Sequence, residues 1–143
     1  MISFTIPGRP VPAVRMTQNT KWTPSAQRSL AYQRMVAQVA QYAIHPRPLP
    51  WEYVQVVVTV HLKATKKGDL PGNRGDWDNY GKAVCDGMQY GNVFKNDRCI
   101  TCGTADVQPC ATEAEERAEV VLSERVLTRL NPFKDAPSCS LKG

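Results

Sequence analysis

Between Tyr53 and Leu62 the chain alternates with a period of two: Val54, Val56, Val58, Val60 and Leu62 fall on one side of a pleat, and Gln55, Thr59 and His61 on the other. This predicts a strand with one buried face. A shorter alternating run, Ile2 to Ile6, predicts an opening strand. Pro7-Gly8-Arg9-Pro10-Val11-Pro12 follows and excludes a helix, because proline lacks the N–H donor and restricts the residue before it; an extended arm is predicted. From Thr23 the period changes to a helical one. Tyr32, Val36, Val39 and Ala43 recur along one face, with Thr23 as N-cap and Pro24 at the first helical position, where a missing N–H costs nothing. A helix over residues 24–44 is predicted, ending before His45-Pro46-Arg47-Pro48.

A second helical run, Tyr80, Ala83, Val84, Gly87 and Met88, predicts a helix from about Asp78 to Gln89, stopped by Gly91. Cys99 to Val107 and Glu119 to Val126 read as two further strands joined by the charged segment Thr112 to Arg117. The order β-α-β-α-β-β predicts an α+β fold, a small mixed sheet with two helices packed on one face. Residues 1–130 are expected to form a single domain. Asn131 to Gly143, rich in Pro, Ser and Lys and without periodicity, reads as a flexible C-terminal tail.

At 143 residues the chain can bury one hydrophobic core and no more. No stretch approaches the ~20 consecutive apolar residues of a membrane span, and Met1 to Pro12 lacks the basic-then-apolar order of a secretory signal, so a cytoplasmic protein is expected. The five cysteines, Cys85, Cys99, Cys102, Cys110 and Cys139, make an odd count that suits reduced thiols better than a disulfide framework. Cys99-x-x-Cys102 has no second closely spaced pair to complete a structural zinc site.

The formal charge is +5, but it is unevenly spread. Met1 to Lys82 carries eleven Lys or Arg against four Asp or Glu, and Ala83 to Gly143 seven against nine. Such segregation suits a protein that lays one face on a polyanion, where phosphate contacts release counterions; a solvated basic surface is the plainer alternative. The candidates for DNA phosphate contacts are Arg9, Arg15, Lys21, Arg28, Lys63, Lys66, Lys67 and Arg74.

The chemistry concentrates in Gly75-Asp76-Trp77-Asp78-Asn79-Tyr80-Gly81-Lys82. In an extended lead-in, residues two apart point the same way, so Asp76 and Asp78 present their carboxylates together and Trp77 turns toward the core. Two carboxylates so close repel unless a cation shares them. Asp78 reads as the N-cap of the second helix, with Lys82 one turn on along the outward face. Hard oxygen ligands favour Mg²⁺ or Mn²⁺, which need few carboxylates beside water and substrate phosphate. Asp97, just before the strand that starts near Cys99, is a candidate third acid that only the fold can bring to the pair.

Other readings of this segment are weaker. An EF-hand requires an oxygen side chain at the fifth loop position and a Glu at the twelfth, and these places hold Tyr80 and Gly87. A phosphatase-type Asp-x-Asp follows directly on an apolar strand, whereas a basic loop precedes this one. A helix cap with a solvated acid stands as the structural alternative. His61, with no second histidine near it, reads as a satisfied strand residue.

Asp76-x-Asp78-Asn79-x-x-Lys82, the apolar helix to Met88 and Val93-Phe94-Lys95-Asn96-Asp97 resemble the signature of RusA-type crossover junction endodeoxyribonucleases. The strand and helix order from Ile2 to Val126 is similar too. The resemblance implies that Asp76, Asp78 and Asp97 bind a divalent metal and that Lys82 assists the chemistry. It implies a homodimer, bacterial or phage-encoded and often carried by prophages, that nicks opposite strands of a four-way junction symmetrically in DNA recombination and repair. Trp22 and Trp77 are candidates to stack on bases, with core packing the plainer fate of Trp77. The rival from another class is a non-catalytic DNA-binding module whose acids are structural.

Overall fold

Strand β2 (Val54–Lys63) is the spine of the molecule, and its five alternating apolar side chains from Val54 to Leu62 are all buried. In the computed structural model, which describes residues 1–131, β2 is flanked by two strands that arrive late in the chain. β3 (Ile100–Cys110) pairs with it in parallel, and β4 (Arg117–Glu124) pairs antiparallel on the other side. β1 (Ile2–Pro7) closes the far edge against β4, so the sheet order is β1-β4-β2-β3. With helices α1 (Pro24–Ala43) and α2 (Trp77–Tyr90), this is the expected α+β fold with a mixed four-stranded sheet.

The helices lie together on the face that carries Phe4, Ile6, Val56, Val58, Val120 and Leu122; α1 packs on β1 and α2 on β3 and β2. The opposite face keeps Ser3 and Thr5 exposed and Val57 and Thr59 half-buried. On that face His61 is satisfied as expected, by the Glu119 carboxylate on β4. Among the described residues no helix is long and apolar enough to cross a membrane.

Helix α1 begins where the sequence predicts, with the Thr23 hydroxyl accepting from the Ala26 N–H at 3.3 Å and Pro24 in the first turn. Its contact with α2 depends on absent side chains. A Cβ at Gly87 would stand 2.6 Å from the Val36 Cβ, and one at Gly91 would stand 3.2 Å from the Ala37 backbone. Gly91 ends α2 as expected, but its φ is −80°; the left-handed residue that turns the chain is Asn92, at φ 59°.

Two boundaries move in ways that matter for the site. Helix α2 starts at Trp77, so its N-cap is Asp76 and Asp78 lies within the first turn, instead of Asp78 capping the helix. Strand β4 starts at Arg117, two residues before the predicted Glu119, because Arg117 finds pairing partners in both Pro7 and His61. The C-terminal tail lies outside the described residues except for Asn131.

The unit β2-α2-β3 is a parallel crossover. Its helix must start at the C-terminal ends of β2 and β3 and return to the N-terminal end of β3. Any chemistry on the first turn of α2 therefore faces the crevice beyond the carboxyl ends of the two parallel strands.

Candidate active site

Asp76 holds the cap position in an extended conformation (φ −68°, ψ 144°), yet its carboxylate makes no capping hydrogen bond. The cap is made by backbone alone: the Asp76 carbonyl accepts from the Asn79 N–H at 3.0 Å. Asp76 and Asp78 are both exposed, and both sit where the helix dipole favours negative charge. Two exposed hard carboxylates thus stand at one helix end, Asp76 in the cleft with Arg74 and Asp106 and Asp78 in the cleft on the other side of Trp77, so they do not point the same way as an extended lead-in would have them. As donors they are of the type that suits Mg²⁺ or Mn²⁺, with water and phosphate completing the shell.

The lead-in to this pair is held on two sides. Tyr80 is buried, and its hydroxyl accepts from the Gly75 N–H at 3.0 Å. On the other side the proline arm presses close, so that a Cβ at Gly75 would stand 2.6 Å from the Pro12 ring. The arm is then pinned to the helix by the Ala13 N–H, which donates to the Asn79 carbonyl at 2.9 Å. The prolines that exclude a helix from residues 7–12 thus build the wall of the site.

Lys82 stands on the exposed outer face of α2, as its spacing predicts, and lines a cleft with Arg15 of the arm and Asn79. Asp86, one turn further on, has its carboxyl pushed above the usual range by burial, with Lys82 pulling it down. Arg74 lines a second cleft with Asp76, Trp77 and Asp106. Arg28 reaches a third, shared with Arg9, Asn73 and Gly75. Among the described residues, Arg15, Arg28, Arg74 and Lys82 have no carboxylate within 4.0 Å, so their charge is free for phosphate.

The remaining basic candidates differ in kind. Arg9 is engaged: its guanidinium pairs at 2.7 Å with Glu116, a carboxylate only 5% exposed that also accepts from the Lys63 N–H at 2.9 Å. It ties the arm to the sheet, and its guanidinium is engaged by a buried partner. The Lys63 side chain is exposed at the end of β2, and Lys66 and Lys67 are exposed on the loop that leads to α2, at the same end of the sheet as the acids. Lys21 lies over the Trp22 ring at 5.3 Å, on the turn ahead of α1, and that ring is 73% exposed.

Trp77 does not turn into the core. It follows the buried arc of α2 in angle, but it stands at the first helical position above the edge strand β3. There Gly103 and Ala105 offer no large side chain to cover it, and it remains 60% exposed.

Asp97 and the pair sit on different elements. Its backbone opens a short turn before β3, whose first residue Ile100 pairs with Val54 at the start of β2, whereas Asp76 shares its cleft with Ala105 and Asp106. From Ile100 to Ala105 the strand advances roughly 16 Å. The acid that one chain does place beside Asp76 is Asp106, whose Oδ2 accepts from the Gln108 amide at 2.6 Å. Sequence reading passed over it, although its polar position in an alternating edge strand was a usable signal. Among the described residues no group of three or more His, Cys, Asp or Glu is gathered tightly enough to hold a metal. Cys85, Cys99, Cys102 and Cys110 are free thiols, and Cys139 lies outside the described residues.

The family model for endodeoxyribonuclease RusA matches residues 7–123, from the arm through almost all of β4. The chain belongs to the RusA endodeoxyribonuclease family. No curated protein matches it at a significant level. The RusA match covers every element that builds the acidic end of α2 and the basic clefts around it. RusA-family proteins are endodeoxyribonucleases that bind and resolve branched DNA, and they are generally dependent on a divalent metal.

Proposed function

We propose that this chain is a Mg²⁺-dependent resolvase that cuts four-way DNA junctions by paired, symmetric nicks, acting as a homodimer in recombination and repair. The observation that carries this reading is the Asp76 carboxylate, which occupies a helix cap without capping it. A structural acid would have spent itself on the helix N–H groups.

Asp76 and Asp78 hold the divalent ion, with Mn²⁺ able to replace Mg²⁺. A divalent ion held there would supply Lewis-acid polarisation of the scissile phosphate and a nucleophilic water at neutral pH. Lys82, which among the described residues has no carboxylate within 4.0 Å, offsets the negative charge that grows on the phosphate as the bond breaks. Arg15 and Arg74 hold the backbone on either side of the reacting group, and Arg28, Lys63, Lys66 and Lys67 extend the track. The products carry a 5′-phosphate and a 3′-hydroxyl.

The third acid, Asp97, comes from a second copy of the chain. One copy keeps Asp97 at the far end of β3, and a C₂ dimer supplies it reciprocally to two sites. Two sites related by a two-fold axis also match the symmetry of the substrate. The setting is the cytoplasm of a bacterium, with the gene carried by the host or by a prophage.

The test compares a synthetic four-way junction with a linear duplex of the same sequence. With Mg²⁺ the junction is expected to be cut and the duplex left intact, and EDTA is expected to stop the reaction. Equal cutting of both, or cutting in EDTA, would refute a metal-dependent, junction-selective enzyme.

A further inference from the structure

Trp77 is the one large apolar side chain set between the two acids, and it forms a wall of two clefts at once. On one side lies the polar cleft with Arg74, Asp76 and Asp106. On the other lies an apolar cleft of about 160 Å³ whose floor is Val56, Val58 and Ala105. This second cleft exists because its neighbours are small. Gly81 approaches so closely that a Cβ there would stand 3.0 Å from the Ala105 Cβ, while a Cβ at Gly103 would meet nothing nearer than the Val56 carbonyl at 3.8 Å. Asp78 and Thr104 also line it, and Cys85, a further wall, is neutral at physiological pH, because burial, reinforced by the nearby Asp86 carboxylate, pushes the thiol up to about 11.

We propose that Trp77 and this cleft form a stacking subsite for an unstacked nucleobase, that of a nucleotide next to the scissile phosphate. The proposal rests on the nuclease reading above. A phosphate drawn to this helix end by Arg74 carries its neighbouring nucleosides past the indole. Arg74, which lines the cleft beside the ring and among the described residues has no carboxylate within 4.0 Å, draws a polyanion over it, with Lys82 on the same helix further along. An exposed indole beside an apolar slot stacks any base, because every base presents a π-face. In a continuous duplex, bases are stacked and closed to such a slot. At a branch point stacking is interrupted, so the subsite would favour junctions through structure and not through sequence.

The test uses the full chain in the Asp78→Asn form, which keeps the DNA uncut. It is bound to a four-way junction with 2-aminopurine at the branch point, and to a single strand with the same probe. Trp77→Ala is expected to weaken binding to both by about ten- to a hundred-fold, the effect of losing one base–aromatic stack, and to leave duplex binding unchanged. The probe should be quenched by the chain with Trp77 present and brighten in the Trp77→Ala complex. Trp77→Phe should recover most of the affinity. Gly103→Val, which has room for its side chain, should fill the slot and reproduce the loss with Trp77 in place.

Unchanged affinity for both DNAs in Trp77→Ala would overturn the subsite. So would a dimer that falls to monomers in light scattering, since the ring would then serve a contact between chains. The single strand separates the two readings. If junction and duplex bind alike but Trp77→Ala still loses single-strand affinity, the stacking subsite stands and junction selectivity fails.

Discussion

Asp78→Asn is expected to lower junction cleavage by about a thousand-fold or more while junction binding stays within a few-fold of the unsubstituted protein. The substitution is nearly isosteric at an exposed position in the first turn of α2, so nothing in the fold is lost. It removes one of two adjacent carboxylates and with it the charge that holds a divalent ion. The phosphate track of Arg15, Arg28, Arg74 and the loop lysines is untouched. Cleavage and binding are measured separately, by product formation with Mg²⁺ and by anisotropy of a labelled junction. Parallel loss of both would mean that Asp78 supports the fold or the DNA surface and not the reaction.

A second large effect is expected from mixing two inactive chains. If Asp97 acts across a dimer, Asp78→Asn and Asp97→Asn are each inactive alone, because every site carries a defect. In a mixed dimer the two substitutions fall together in one site and leave the other intact. Joint refolding or coexpression should therefore restore nicking, to about a quarter of the sites when chains assort randomly in a C₂ dimer. The restored product should be a single nick and not a paired cut, since a mixed dimer has one working site. A mixture that remains inactive, with mixed dimers shown to form, would mean that Asp97 does not complete the neighbour's site. The roughly 16 Å of β3 between Ile100 and Ala105 is the physical reason to expect recovery.

The local periods of the chain carried the fold well. The alternation from Val54 to Leu62 gave the spine of the sheet within one residue at each end, and Thr23-Pro24 marked the start of α1 because a cap and a first-turn proline act through nearest neighbours. What local patterns do not encode is who pairs with whom. Inserting β4 between β1 and β2 depends on contacts across some 60 to 120 residues. The same limit hid the engagement of Arg9, whose partner Glu116 lies 107 residues away. Trp77 was misread for a different reason. Its angle on the helix does point to the core side, but burial also requires something above it, and Gly103 and Ala105 on an edge strand provide nothing. That two acids stand exposed at the start of α2 was legible, while the shift of the cap from Asp78 to Asp76 was not. That one-residue shift turned out to be informative, because it exposed a cap residue that does not cap.

The most direct test of the central claim is to incubate the unsubstituted protein and Mg²⁺ with a supercoiled plasmid that extrudes a cruciform, and to map both cuts to the nucleotide. The account predicts linear plasmid formed within one binding event, from two nicks placed symmetrically about the branch point, each leaving a ligatable 5′-phosphate and 3′-hydroxyl. Nicked circles alone, cuts unrelated by the two-fold axis, or no metal-dependent cutting at the branch point would contradict it.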